Sequence, residues 1–315
     1  MFRRWLSNFY RKNKEKISRF AKLFWILILV GIALISSTNK KSNKSEENNE
    51  VTIYKPGKTI ISGNDVDKET YEKQENLVKT FVEYCNKQQI QEAYDLLTNE
   101  CKEKMFTTIE AFKNNYYDVI FNQNRECNLQ SWITDGNYNT YKVTFIEDIM
   151  ATGNYKDVEK FEDYITVVTK NGEQKINVNS YIKTEEINKN TKIEELDINV
   201  KSVDIYMNSE KYYLEVNNYS SNTIMLDSLK NFTNIKLLGT DDVEYKIDKL
   251  NLSLVDLTIL KNSQNKKVEL EFIKQYGGSQ IKGKEIKFKK AIFNRDEYLK
   301  DIDNYDKYKE VSIKL

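Results

Sequence analysis

The residues able to carry chemistry are few, and the first observation is a missing type: the 315-residue chain has no histidine. Ser-His-Asp and Cys-His nucleophilic sites, imidazole bases and histidine-bearing metal sites are thereby excluded. Glu147 and Asp148, at the end of an alternating strand pattern, form the acidic pair best placed for general-base work. A solvated strand end explains them more simply. Cys85, Cys101 and Cys127 are an odd count, which argues against a disulfide framework. Buried thiols are expected, with a Cys85–Cys101 bridge as the pairing that helices folding back on each other would allow. Asp301, Asp303 and Asp306 alternate as in a calcium loop but lack its glycine and distal glutamate. A solvated acidic segment is expected there, and neither a metal nor a cofactor. Asn218, Asn231 and Asn251 each open an Asn-x-Ser/Thr triplet, a chance outcome in so Asn-rich a chain.

The charge is divided. Residues 1–45 carry a net +10, leaving −9 for the remainder of a chain whose total is +1. A mildly acidic bulk excludes a nucleic-acid partner, because phosphate binding needs a positive surface. The Lys- and Asn-rich, proline-poor usage fits an AT-rich bacterial genome. Within the basic end an uncharged stretch, LFWILILVGIALISST, opens at Leu23 and closes at Thr38. Its sixteen residues make roughly 24 Å of helix, extended to the hydrocarbon thickness by Phe20 and a snorkelling Lys22. A signal-peptide core would also fit, but the long basic leader and the lack of an A-x-A site favour an uncleaved anchor. Eight Lys/Arg before it and three shortly after it place the N-terminus in the cytoplasm and the rest outside the cell. Phe2, Trp5, Leu6 and Phe9 read either as an amphipathic helix on anionic lipid or as part of a disordered basic tail.

Residues 39–67, with the only proline (Pro56), read as a linker in which 51–54 and 59–61 could form short strands. From residue 68 the period becomes helical. Val78, Phe81, Val82 and Cys85 recur at i, i+3, i+4, i+7, as do Ile90, Ala93, Tyr94 and Leu97. Ile109, Phe112, Tyr116, Val119 and Ile120 mark another helix, opened by a capping box at Thr107 and Glu110. The period then turns to two at Tyr141, Val143 and Phe145. Asn171-Gly172 is a type I′ hairpin signal that sets Val167 opposite Ile176 and Ile165 opposite Val178. For the preceding pair a five-residue loop, 135–139, would set Ile133 opposite Tyr141 and Leu129 opposite Phe145.

Helices followed by a curved antiparallel sheet predict an α+β domain over 68–185. On VKTFVEYCNKQQIQEAYDLLTNECKEKM, the next helix and the hairpin ITVVTKNGEQKINV, this stretch resembles the nuclear-transport-factor-two-like, cystatin-like cone superfamily. The resemblance implies a cone whose cavity is lined by Phe81, Tyr116, Trp132 and Phe145 and could hold a small apolar ligand. It also includes enzymes with a carboxylate base at the cone mouth, the role Glu147 or Asp148 would take.

After an interruption at 183–195, alternating pairs from Ile198/Val200 to Ile286/Phe288 predict an all-β immunoglobulin-like sandwich over 196–293. YYLEVNNYSSNTIMLDSL and LKNSQNKKVELEF are similar to such modules of bacterial envelope proteins. An acidic tail, 294–315, would pack Tyr298, Ile302 and Tyr305 on it as a short helix. The whole resembles the bitopic scaffold subunits of conjugation and type IV secretion machines. The expected function is a non-catalytic scaffold of a Gram-positive-type cell envelope, touching membrane lipids through its N-terminus and envelope proteins or itself through its external domains. Binding of an apolar ligand in the cone, and acid–base catalysis by Glu147 and Asp148, are the competing expectations.

Overall fold

Asp67 starts the first helix by accepting a hydrogen bond from the Thr70 backbone N–H (2.9 Å), filling a donor that the helix start leaves open. Helix α1 (Lys68–Asn86) turns Val78, Phe81, Val82 and Cys85 to its buried face. Three short helices follow: α2 (Ile90–Asp95), α3 (Asn99–Met105) and α4 (Ile109–Phe112). The cap of α4 is Thr108, bonded to Ala111 N, one residue later than the capping box expected at Thr107. A π-helical turn, Lys113–Tyr117, then leads into α5 (Asp118–Ile120). The wider turn inserts a residue into the repeat. Val119, placed on the apolar face by an unbroken 3.6 period, is therefore 53% exposed, while Tyr117 and Phe121 are buried.

These elements come from a computed structural model that describes residues 58–61, 65–147, 159–228, 234–250 and 252–315. The stretch from Leu23 to Thr38, its basic leader and Asp148 lie outside them. Among the described residues no helix is long and apolar enough to cross a membrane.

Strands β1 (Arg125–Asp135), β2 (Tyr138–Glu147), β3 (Lys160–Lys170) and β4 (Glu173–Asn177) pair in that order as a four-stranded antiparallel sheet. Between β3 and β4, Asn171 and Gly172 both have positive φ (53° and 82°), and Val167 faces Ile176. Ile165, Val167, Ile176 and Val178 are all fully buried against the helices. The β1–β2 turn departs from expectation. Its loop is Gly136-Asn137, with Asp135 opposite Tyr138, and not the five residues 135–139. Leu129 faces Val143 and Ile133 faces Thr140, because Trp132 is the extra residue of a bulge. A bulge reverses the in–out alternation. Leu129 accordingly enters the core shared with the helices, and Ile133 enters the second core.

The rest of the chain supplies β5 (Tyr181–Ile193), β6 (Leu196–Tyr206), β7 (Ser209–Asn218), β8 (Ile224–Met225) and β9 (Ile235–Gly239). Then come β10 (Glu244–Ile247), β11 (Thr258–Ile259), β12 (Ser263–Ile273), β13 (Gly283–Ala291), α6 (Arg295–Tyr298) and β14 (Lys309–Lys314). Eight of these strands form one antiparallel sheet in the order β14-β13-β9-β10-β12-β7-β6-β5, while β8 and β11 pair separately. β14 comes alongside β5, and Lys309 forms an ion pair with Glu194 just past the end of β5. The sheet is thus rolled into a nearly closed barrel.

This overturns the expected fold class. An α+β cone followed by an immunoglobulin-like sandwich is replaced by a predominantly β unit: helices on a four-stranded sheet, followed by a separate eight-stranded sheet rolled into a barrel. Strands exist at most of the positions expected over 196–293, and Ile198, Val200, Leu214, Leu270, Ile286 and Phe288 are buried as their alternation requires, whereas 59–61 forms no strand. Alternation says which side chains face inward, and it reads alike for two stacked sheets and for one sheet rolled on itself. The stretch 183–195, expected as a boundary, lies mostly in β5, and the expected acidic tail supplies α6 and β14. Met225, Ile292 and Tyr298 form a third small core, with Leu254, Ile302, Tyr305 and Tyr308 packed against it.

Candidate functional site

Of the four residues expected to line a cavity, three lie together in one core and Trp132 lies apart. Phe81, Tyr116 and Phe145 are buried in the core beneath the helices. Phe81 lies 6.2 Å from Tyr116 and 6.3 Å from Phe121, which in turn meets Phe145 at 5.4 Å. Such tilted ring contacts fill space. Trp132, at the bulge, packs against the other core, edge-on to Tyr164 at 5.4 Å. Glu147 is buried at the end of β2, its backbone N–H bonded to Glu159 O (3.2 Å). All three cysteines are free, so the Cys85–Cys101 bridge is not formed. Burial pushes the thiols up, to about 12 at Cys101 and about 11 at Cys127, far from thiolate chemistry at neutral pH. Asp301 accepts from the Asn304 backbone and side-chain amide as a turn residue. Among the described residues no His/Cys/Asp/Glu group fit to hold a metal ion occurs.

The buried carboxylates are engaged in construction. Asp163 accepts from Tyr116 OH (2.8 Å) and from the backbone N–H groups of Asn179 (2.8 Å) and Ser180 (2.9 Å). Asn179 and Ser180 both have positive φ, so the carboxylate holds the strained link into β5. Burial raises the pKa of Asp163 despite these donors. Asp204, fully buried on β6, accepts from Thr184 Oγ1 (2.6 Å) and Tyr213 OH (2.6 Å) and pairs with Lys104 of α3 at 2.9 Å. It ties the helical layer to the barrel wall.

At one end of the barrel lies a hollow of about 250 Å³ lined by Lys183, Glu185, Ile205, Tyr212, Tyr276 and Lys282, among others. Asp135, at the tip of β1, reaches its rim. It accepts from the hydroxyls of Tyr276 and Ser279 and faces Lys183 at 3.3 Å. Burial works to raise the Asp135 pKa, but Ser279, Tyr276 and Lys183 outweigh it and hold the carboxyl below its ordinary range. Lys183 also pairs with Glu185 (2.8 Å), which pairs with Lys282 (3.3 Å). Deeper in, Lys274 pairs with Glu210 and donates to Ile281 O (2.8 Å). These charges satisfy one another, and the arrangement joins the β1–β2 hairpin to the barrel.

A different arrangement occurs beside β8 and the start of β12. Met225, Leu254, Val255, Leu260, Lys266 and Arg295, among others, line an open groove of about 520 Å³. Val255 is 73% and Leu260 63% exposed. Lys266 and Arg295 are half-buried, and neither side chain makes a hydrogen bond or ion pair with another described residue. Asp256 feels the Lys266 charge, but Ser253 engages its carboxylate through backbone N (2.9 Å) and Oγ (2.5 Å), which with Lys266 holds its pKa low. No sequence pattern singles out Lys266 and Arg295. The available signal was the run from Leu250 to Leu260: seven of its eleven residues are apolar, more than a half-buried strand can hide.

Comparison with known proteins leaves this geometry to speak for itself: no family model, curated protein or solved structure matches the chain.

Proposed function

We propose that the chain is a non-catalytic scaffold that works through protein contacts, with the groove between Leu254 and Arg295 as its docking face. The observation that supports this reading is the pair of outward-facing apolar residues, Val255 and Leu260, beside two half-buried cations, Lys266 and Arg295, that make no ion pair with another described residue. Contiguous apolar surface rimmed by polar groups is costly to leave in water and marks contact sites. The carboxylates of Asp135, Asp163 and Asp204, by contrast, are closed on structural donors. Work at the cell envelope is supported by the basic N-terminal end, whose +10 over residues 1–45 favours anionic lipid.

Site-specific photo-cross-linking of the full chain in its native cells tests the proposal. A photoreactive side chain at Val255, and separately at Leu260, should yield the same discrete protein adduct. The same group at exposed Val119 should not, and Leu260→Asp should remove the Val255 adduct. Equal labelling from all three positions, or a groove that captures nothing, sinks the proposal.

A further inference from the structure

We infer that the groove receives an acidic, apolar peptide segment of a partner protein, an inference that rests on its being the docking face. The shape argues for a macromolecular occupant. A small ligand is ordinarily enclosed over most of its surface, whereas Val255 and Leu260 point largely into solvent. Whatever covers them must extend beyond the groove.

The charge argues for carboxylates on that segment. Several half-buried or buried barrel cations have counter-ions: Lys183 pairs with Glu185, Lys211 with Glu269, Lys274 with Glu210 and Lys287 with Glu285. Lys266 and Arg295 line the groove with no carboxylate in its lining and no ion pair to another described residue, and the carboxylate of Asp256, which feels the Lys266 charge, is held by Ser253. A half-buried cation that makes no direct ion pair has lost part of its hydration without a contact that replaces it. An arriving carboxylate supplies a charge-assisted bond, bidentate in the case of arginine. Lys261 and Lys267, both exposed nearby in the sequence, extend the positive rim. They steer an acidic segment inward and repel a basic one.

Selection of a random twelve-residue peptide library, displayed on phage, against the immobilised full chain tests this. The expected result is enrichment of sequences that combine glutamate or aspartate with leucine, isoleucine or phenylalanine. Synthetic copies should bind the Lys266→Glu/Arg295→Glu chain roughly tenfold more weakly or worse, about 1.4 kcal/mol, and should be displaced from the Leu260→Asp chain. The milder Lys266→Gln/Arg295→Gln pair, with an unchanged circular dichroism spectrum, should abolish the acidic bias of a repeated selection. Enriched peptides without acidic bias, or binding indifferent to these substitutions, would overturn the inference. So would sedimentation of the chain with phosphatidylglycerol vesicles through Leu260 while no peptide is enriched. Those failures leave the docking face standing if the Val255 adduct persists. Loss of that adduct removes the docking face itself.

Discussion

Asp135 accepts from Tyr276 and Ser279, which lie 141 and 144 positions further along the chain, and faces Lys183 across the seam between hairpin and barrel. Its pKa is held below the ordinary 3.8, so the folded state prefers the ionised form. The resulting stability is fully present above about pH 3.8 and is lost as the pH falls through the lower folded-state value. Asp135→Asn should cost about 1–3 kcal/mol at pH 7, because the lysine loses a counter-charge and a hydroxyl its acceptor. Urea midpoints of the variant and the native chain should converge as the pH falls through the lowered folded-state value, where the aspartate is itself protonated. A difference that stays constant with pH would show that the charge is not what matters. None of this was legible at residue level. Asp135 read as the first residue of a five-residue loop, 135–139, and no local pattern points to a tyrosine so far away.

Among elements, the β3–β4 hairpin was readable and the β1–β2 hairpin was not, although both turns contain glycine. At Asn171-Gly172 the turn chemistry and the alternation of Ile165, Val167, Ile176 and Val178 demand the same register, so either signal checks the other. In β1 the bulge at Trp132 shifts the phase partway along the strand. The alternation that follows belongs to a different core, and one side of a pattern cannot announce that it has changed partners. The π-helical turn at Lys113–Tyr117 hides Tyr117 and exposes Val119 for the same reason. The hairpin supports a direct test. Gly172 has φ 82° with nothing within 4 Å of where a Cβ would stand, so a substitution there meets only backbone strain. Gly172→Val should destabilise the chain by about 1–2 kcal/mol, measured by urea unfolding. A neutral result would mean that the turn relaxes and that the register is held by the core pairs alone.

For the whole unit, the strand positions were legible but the closure was not, since β14 and β5, the edges brought together, stand at opposite ends of the second half of the sequence. The same geometry decides whether that half can be removed. A cut after residue 195 follows the composition shift in the sequence, yet it strips β5 of its partner β6 and Lys104 and Thr184 of the Asp204 carboxylate. It also frees Ile133 from the barrel core and Asp135 from Tyr276 and Ser279. A thirteen-residue strand would be left as a bare edge, the kind of surface that recruits other chains. Residues 58–195 alone should therefore give a shallow, non-cooperative thermal transition and sediment as aggregates, whereas 58–315 should unfold in one cooperative step. If the shorter piece instead keeps a sharp transition and a folded near-ultraviolet dichroism spectrum, the helical layer is an autonomous domain and the seam at Asp135 and Asp204 is a docked interface between two folds.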